Sequence, residues 1–207
     1  MKLNLLLHQF PWITGLPFDQ PARENIAPTQ PVLVISSSRP DAFDLYRWGL
    51  IPSWAKDPSV GKRMFNARAE TLAQKSVFRT ALRQRRCLIP ADGFYEWKKH
   101  AGRTRSTQML FTVNGGEPFA FAGLWDAWRR ADGAEVRSCT LITTTPNAVV
   151  QPIHDRMPAI VRPADYRRWV EPGELGNDDA AAILGPYPAE QMQMTAMMPE
   201  EPKSLWD

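Results

Sequence analysis

The chain has 207 residues, of which 43% are hydrophobic, and its formal net charge is +3 at pH 7. This length suits one sizeable domain and this hydrophobic fraction supports a buried core, so the composition excludes wholesale disorder. The sequence pI of about 9.0 is a mild basic bias, which permits nucleic-acid binding without demonstrating it. No segment approaches the ~20 apolar residues of a membrane span. We therefore expect a cytoplasmic protein, associated with the nucleoid if it is bacterial, with no membrane contact.

Two cysteines, Cys87 and Cys139, lie in apolar segments that look like strands. This pattern is typical of buried free thiols in a reducing compartment. The chain contains neither a C-x-x-C nor an H-x-x-x-H spacing, so it offers no recognisable metal site. We expect no cofactor and a monomer.

The predicted elements of the first third are a short helix and a pair of strands. Apolar residues at helical spacing predict an amphipathic helix over 3–10, followed by a proline-rich stretch at 11–31. The apolar run 32–35 predicts a buried strand with a hairpin partner over 44–50. Residues 52–58 are predicted to be a loop.

The middle of the chain predicts one helix and several strands around turns. The helix covers 73–84, and arginines 79, 83, 85 and 86 give a basic face that is either merely solvated or able to steer DNA. Strands are predicted at 88–90 and 94–98 around Asp92-Gly93, and a hairpin at 109–113 and 118–124 around Asn114-Gly115-Gly116.

The last third predicts strands at 136–143 and 159–161 and short helices at 164–170 and 178–184. Neither an internal repeat nor a domain linker is visible. The sequence therefore predicts an α+β fold, a single domain over 1–207 with a strand-rich, mainly antiparallel core and a few short flanking helices.

Three blocks place polar residues inside otherwise apolar sequence. His154 lies between Pro152 and Pro158, beside Asp155 and Arg156, and a histidine with charged neighbours can transfer protons. The alternative is a structural histidine that is hydrogen-bonded in a turn.

Glu96 lies in a strand-like run of aromatic residues. Strand alternation places Tyr95 and Trp97 on one face and Glu96 on the other, with Phe94 and Lys98. A carboxyl in an aromatic pocket would have a raised pKa, as a general acid needs. The alternative is an exposed glutamate paired with a lysine.

Asn66 and Arg68 share a face if the segment around them is extended. An amide beside a guanidinium suits a phosphate or a sugar hydroxyl. The alternative is a turn asparagine and a surface salt bridge between Arg68 and Glu70. Trp54, in the predicted loop, is interpreted as an exposed stacking residue.

These blocks, in this order, resemble the SRAP family, the SOS response-associated peptidases or abasic site processing proteins. The resemblance extends from about residue 24 to about residue 170. The matching segments are ENIAPTQ at 24–30, WGLIP at 48–52, NARAET at 66–71, PADGFYEW at 90–97 and HDRMP at 154–158.

The resemblance implies an α+β domain with a positively charged groove for single-stranded DNA. It also implies a cysteine that becomes the N-terminus after the initiator methionine is removed. The free amine and thiol of that cysteine would attack the ring-opened aldehyde of an abasic site, first as an imine and then as a thiazolidine. The amine, with a pKa of about 7.7–8.0, is partly neutral near pH 7.

The resemblance also assigns roles to individual residues. Glu96 would assist proton transfer during imine formation, His154 would support opening of the sugar ring, and Asn66 would hydrogen-bond near the linkage. All three should open into one concavity. The positions implied to contact or frame the DNA are Arg68, Trp54, Arg156, Asn25 and Pro28.

The chain departs from the family pattern at its start. The family opens with Met-Cys-Gly-Arg-Phe, whereas residue 2 is Lys2 and Cys-Gly-Arg-Phe occurs nowhere. The chain is thus expected to lack about the first dozen residues of the family, and 192–207 lacks the usual closing segment. Two explanations compete: the true start lies upstream, or the protein has lost the nucleophile and keeps the groove. Two functions are therefore expected as alternatives. In the first, the protein forms a crosslink with abasic-site DNA and has lyase or self-processing peptidase activity. In the second, it binds single-stranded or damaged DNA without catalysis.

Overall fold

The structure, a computed structural model, describes residues 3–14, 23–100 and 106–197. Position 2, residues 198–207 and part of the proline-rich stretch lie outside the described residues, so the prediction of one domain over 1–207 stays a prediction. The helices are α1 (Leu3–Gln9), α2 (Ser76–Gln84), α3 (Tyr166–Val170) and α4 (Asn177–Ile183). The strands are β1 (Pro31–Ser36), β2 (Arg39–Trp48), β3 (Asn66–Arg68), β4 (Arg86–Ala91), β5 (Phe94–Lys98), β6 (Thr107–Val113), β7 (Phe119–Arg129), β8 (Glu135–Thr144), β9 (Met157–Pro158), β10 (Ile160–Val161) and β11 (Met192–Ala196).

Five of the strands close into a ring. Neighbouring strands are paired in the order β7-β4-β1-β2-β8, and β8 also pairs with β7. Each of the five strands therefore has a partner on both sides, and the ring has no free edge strand. The short strands β10, β3 and β9 attach to this ring. Pairing is antiparallel except where β8 runs parallel to β2 and to β3. The predicted strand-rich, mainly antiparallel α+β fold is confirmed.

Strand alternation divides the core into two layers. Inside the ring, one apolar cluster contains a side chain from each strand; its members include Val34, Tyr46, Cys87, Trp125 and Cys139. Residues of the opposite parity, such as Ile35 and Leu88, pack in a second cluster with all four helices. The helices therefore cover the outside of the ring.

The interior of the ring is tightly packed around Gly123. A Cβ atom there would lie 2.9 Å from Cys87 Sγ and from Ile89 Cδ1, so only glycine fits. Cys87 and Cys139 are both free and fully buried, which confirms the prediction of buried thiols. Burial raises the pKa of the Cys87 thiol well above its usual value, and this makes it a poor nucleophile.

Two predicted strand pairings are wrong, although the strands themselves exist. The segments 109–113 and 118–124 belong to different sheets, because β6 pairs with β5 and β11 whereas β7 pairs with ring strands. Likewise β4 belongs to the ring and β5 to the three-stranded sheet β11-β6-β5. Turn residues such as Asn114 and Gly115, both with positive φ, reverse the chain without determining which strands pair.

The other predicted elements are confirmed with small shifts in their ends, including the β1–β2 hairpin and all four helices. Strand β11, which the sequence did not predict, pairs antiparallel with β6. No helix within the described ranges is long and apolar enough to cross a membrane. Nor do the described residues contain a group of three or more potential metal ligands among His, Cys, Asp and Glu.

The basic run near α2 is not one solvated face. Arg86 is 1% exposed and donates only to backbone carbonyls, including Trp169 O at 2.8 Å and Glu171 O at 2.7 Å. Its other acceptors are the carbonyls of Leu82, Arg83 and Gly173. The guanidinium therefore joins the C-terminal ends of α2 and α3, where cations are favoured.

Replacing Arg86 with alanine should destabilise the fold strongly. The change would leave several buried carbonyls without donors, and the expected loss of unfolding free energy is on the order of 3 kcal/mol. Urea denaturation followed by circular dichroism measures it. The matched control is Arg83→Ala, which removes an exposed ion pair with Glu174 and should change stability by only about 0.5 kcal/mol. Equal midpoints for the two variants would contradict the prediction.

Candidate functional site

A cavity of about 840 Å³ opens between the ring and the small sheet. Its walls come from segments 23–28, 65–68, 89–97 and 154–158, and its apolar lining includes Trp48 and Leu141. Asn66, Glu96 and His154 all line this cavity. The expected convergence of these three residues is confirmed, whereas their chemical roles stay predictions.

Strand β3 positions the first block. It runs parallel to β8, with Asn66 opposite Leu141 and Arg68 opposite Thr143. Ala67 is buried between them, so alternation turns the amide and the guanidinium outward to the same side. Both line the cavity.

Strand β5 positions Glu96, which is partly buried and lies opposite Met109 of β6. Burial raises the pKa of the Glu96 carboxyl, the charge of His154 lowers it, and Asp155 raises it again. The net direction is upward, which suits a carboxyl that must donate a proton. Glu96 and His154 both line the cavity.

Tyr95 and Trp97, which strand alternation places on the face opposite Glu96, are also accessible from the cavity. Because β5 is an edge strand of the small sheet, Tyr95 and Trp97 line the cavity together with Glu96. The Trp97 side chain is 54% exposed. The cavity mouth therefore presents aromatic rings beside the carboxyl.

A short turn capped by Asn147 positions His154. The Asn147 side chain accepts from the amides of Val149 and Val150, each at 3.1 Å, and the His154 amide donates to Val150 O at 3.0 Å. His154 Nδ1 lies 3.0 Å from both the amide nitrogen and the carbonyl oxygen of Arg156, so it accepts or donates according to the tautomer of the ring. None of the described residues bonds to Nε2, which leaves that nitrogen for a bound molecule.

Arg156 is held at the wall of the cavity. Its guanidinium forms two parallel hydrogen bonds with Glu70, at 2.8 and 2.9 Å, and a third with Thr143 O at 2.6 Å. The side chain is 18% exposed and lines the cavity. The hydrogen bond from Arg156 lowers the pKa of Glu70. The alternative interpretation, a surface salt bridge between Arg68 and Glu70, is therefore wrong, because Glu70 forms its ion pair with Arg156.

The loop that carries Asn25 and Pro28 forms another wall of the cavity. Thr29 adopts a left-handed conformation with φ of 78° and donates its amide to Trp48 O at 2.6 Å. The Gln30 carbonyl in turn accepts from the Trp48 amide at 2.9 Å. These bonds fix the loop to the end of β2.

Trp54 is exposed, as predicted, at 69%, but it does not line the cavity. Its loop is tied to β7: the Ser53 amide donates to Asp126 Oδ2 at 3.0 Å, and Trp128 Nε1 donates to Ala55 O at 2.7 Å. An exposed ring on a fixed loop suits stacking outside the cavity.

The raised pKa of Glu96 predicts a pH-dependent effect on stability. A carboxyl with a raised pKa stabilises the fold below its unfolded pKa of about 4.3, and this contribution is lost as pH rises through the folded value. Glu96→Gln should therefore raise the thermal midpoint at neutral pH, and this gain should disappear at about pH 4. Thermal unfolding at both pH values measures it.

The control for this experiment is Glu174→Gln, at an exposed carboxylate outside the cavity. It should give no gain at either pH. A midpoint for Glu96→Gln below that of the unaltered chain at neutral pH would contradict the electrostatic argument.

The fold and the cavity define an α+β protein in which polar and ionisable side chains from distant segments meet in one groove. The chain belongs to the SRAP family: the model of the family "SOS response associated peptidase (SRAP)" matches residues 10–200.

Relatives and solved structures agree with this membership. The chain is 42% identical over 170 residues to the abasic site processing protein YoqW of Bacillus subtilis (strain 168), covering 82% of this chain and 75% of that protein. It is 34% identical to the abasic site processing protein HMCES of Xenopus tropicalis over 161 residues, 68% of this chain and 48% of the relative.

Two solved structures share the fold. A protein from Bordetella bronchiseptica has a TM-score of 0.77 and 26% identity, covering 92% of this chain and 95% of that one. A protein from Bacteroides thetaiotaomicron has a TM-score of 0.76 and 29% identity, covering 82% and 75%.

Glu70 and Asn147 carried no functional signal of their own in the sequence. Glu70 lies in the NARAET segment, but its partner follows 86 residues later. Asn147 follows Pro146 and precedes three apolar residues, a pattern that marks a capped turn.

Proposed function

We propose that this protein senses abasic sites in single-stranded DNA and processes them at the cavity. The observation that carries the proposal is the convergence of Asn66, Glu96 and His154 on one cavity. Membership of the SRAP family supports it, as do relatives that are named abasic site processing proteins.

The proposed chemistry begins with the closed sugar of the abasic site. His154 Nε2 donates a proton to the ring oxygen as the bond between that oxygen and C1 breaks, and a water molecule takes the proton of the C1 hydroxyl, which leaves the aldehyde. An amine then adds to the aldehyde carbon, and the carbinolamine loses water to form an imine. Protonated Glu96 gives its proton to the departing hydroxyl, and the Asn66 amide holds the substrate oxygen.

In the family reaction that the resemblance implies, a thiol next to the amine adds to the imine carbon and closes a thiazolidine. Residue 2 of this chain is Lys2, and Cys-Gly-Arg-Phe occurs nowhere in it. Cys87 and Cys139 are buried inside the ring and cannot reach the cavity. A binder that recognises abasic DNA without crosslinking it is therefore the second candidate.

The DNA path in this proposal runs from the cavity to Trp54. Arg68 is exposed at the cavity and would contact a phosphate, while Asn25 and Pro28 frame the opening. Arg156 would add positive charge at the cavity wall, although Glu70 and Thr143 occupy much of its guanidinium. Trp54 would stack on a base outside the cavity.

The first test of the proposal is binding to single-stranded DNA. Arg68→Ala should weaken binding and reduce the slope of log K against log salt by about 1, because one phosphate contact is lost. Trp54→Ala should cost about 1–3 kcal/mol of binding free energy with no change in the salt slope. Fluorescence anisotropy at several salt concentrations measures both.

Arg168→Ala is the charge-matched control, since Arg168 pairs with Asp179 on the helical side and does not line the cavity. Its affinity should match that of the unaltered chain. Unchanged binding in both Arg68→Ala and Trp54→Ala would mean that the DNA binds elsewhere.

The second test distinguishes crosslinking from binding. The 207-residue polypeptide should give no heat-stable adduct with abasic single-stranded DNA on a denaturing gel, since it presents no N-terminal aminothiol. A version extended upstream by a segment of the length found in the family, which begins with Cys-Gly-Arg-Phe after the initiator methionine, should give that adduct. Glu96→Gln in that version should slow adduct formation by about 10²-fold or more.

An adduct formed by the unextended polypeptide would contradict the need for the cysteine. The absence of an adduct with the extended version, while DNA binding persists, would favour the non-catalytic binder.

A further inference from the structure

Four arginines among the described residues line the cavity, and they differ in what their side chains already bind. The four are Arg23, Arg63, Arg68 and Arg156. Arg156 forms its two parallel hydrogen bonds with Glu70, at 2.8 and 2.9 Å. Arg23 donates to Pro31 O and to Gln30 Oε1, each at 2.7 Å. These two guanidiniums therefore hold the walls of the cavity together.

The guanidiniums of Arg63 and Arg68 are not engaged in this way. Both residues are exposed, and neither side chain forms a hydrogen bond or an ion pair with any residue that the structure describes. An arginine without such partners keeps its five N–H donors available, and its planar fork matches a phosphate group. Arg68 already has a proposed phosphate partner, whereas Arg63 has no role in the DNA path described above.

The backbone that carries Arg63 is held in a fixed position. Residues Pro58–Arg63 form a short 3₁₀ helix. Gly61 in this helix touches the residue after β2, because a Cβ atom on Gly61 would lie 2.7 Å from Gly49 O. Next to Arg63, the carbonyl of Met64 accepts from the Leu50 amide at 3.0 Å. Arg63 lies between these two contacts, so its side chain is presented to the cavity by a rigid segment.

The same segment carries an excess of positive charge. Residues 49–65 contain two lysines and Arg63 but only one carboxylate, Asp57. Asp57 accepts from the Ser59 amide at 2.9 Å and from the Ser59 hydroxyl, so it caps the 3₁₀ helix. It forms no ion pair with Arg63. The positive charge at this side of the cavity is therefore available to attract a polyanion.

We propose that Arg63 binds a second phosphate of the DNA strand, distinct from the phosphate that Arg68 contacts. The preferred ligand is then an abasic site inside a strand, with phosphates on more than one side of the cavity, rather than a free sugar aldehyde. Two guanidiniums on separate segments hold the strand at two points and so position it. The inference rests on the proposed function, because it takes single-stranded DNA as the occupant of the cavity.

The test uses the 207-residue protein and a single-stranded oligonucleotide with a central tetrahydrofuran, which is a stable abasic analogue. Each phosphate near the tetrahydrofuran is replaced in turn by a neutral methylphosphonate, and fluorescence anisotropy measures the affinity. The unaltered protein should lose affinity at two positions or more. Arg63→Ala should be insensitive to one of these replacements and Arg68→Ala to a different one, because the partner of that phosphate is already gone. Arg63→Ala should also reduce the slope of log K against log salt by about 1.

Lys62→Ala is the matched control. It removes the same charge one residue earlier, from an exposed side chain that does not line the cavity. This variant should keep every sensitive phosphate of the unaltered protein. An Arg63→Ala variant that also keeps every sensitive phosphate would overturn the proposal, as would loss of the same phosphate in Lys62→Ala.

Failure of this inference and failure of the proposed function give different results. If Arg68→Ala and Trp54→Ala weaken binding but Arg63→Ala does not, the DNA path stands and only the role of Arg63 is wrong. If none of the three variants weakens binding, the DNA binds elsewhere and both proposals are wrong.

Discussion

The structure depends on strand β8, each of whose edges is shared between two partners. On one edge, β7 pairs with β8 residues up to Leu141, and β9 pairs with β8 from Thr143 onward. On the other edge β2 pairs at Ser138 and Cys139, and β3 follows from Leu141. A strand can satisfy its backbone donors and acceptors on both edges only if partners are present along its whole length. The changes of partner therefore close the ring at one end of β8 and bring β3 and β9 together at the other.

This arrangement explains why the cavity lies where it does. The segments before β3 and β9 are loops that leave the ring and return to it, and both return beside the last residues of β8. Asn66 lies at the start of β3, and His154 lies three residues before β9. The small sheet then places Glu96 across from them on its edge strand. Three segments far apart in sequence meet because one strand pairs with two of them.

The two glutamates of the site show how environment assigns different roles to the same side chain. Glu96 is partly buried with no bidentate arginine beside it, and burial raises its pKa. Glu70 bonds to the Arg156 guanidinium, and that bond lowers its pKa. A carboxyl of the first kind can hold a proton for transfer, whereas one of the second kind stays ionised and serves as a fixed charge. The structure thus shifts the pKa values of the two carboxyls in opposite directions.

The sequence by itself determined the α+β class, most of the helices and strands and the burial of both cysteines, and its motifs identified Asn66, Glu96 and His154, which line the cavity. Those features follow from local periodicity and from five ordered motifs. Tertiary structure alone decided the pairing of β6 with β11, the closure of β7 on β8 and the partner of Glu70. Strand pairing and ion pairing join residues that are distant along the chain, so their energies depend on which surfaces meet. A local pattern such as the Asn114-Gly115 turn predicts only that the chain reverses direction. Which strand pairs with the next segment depends on the strand edges that are available elsewhere in the fold.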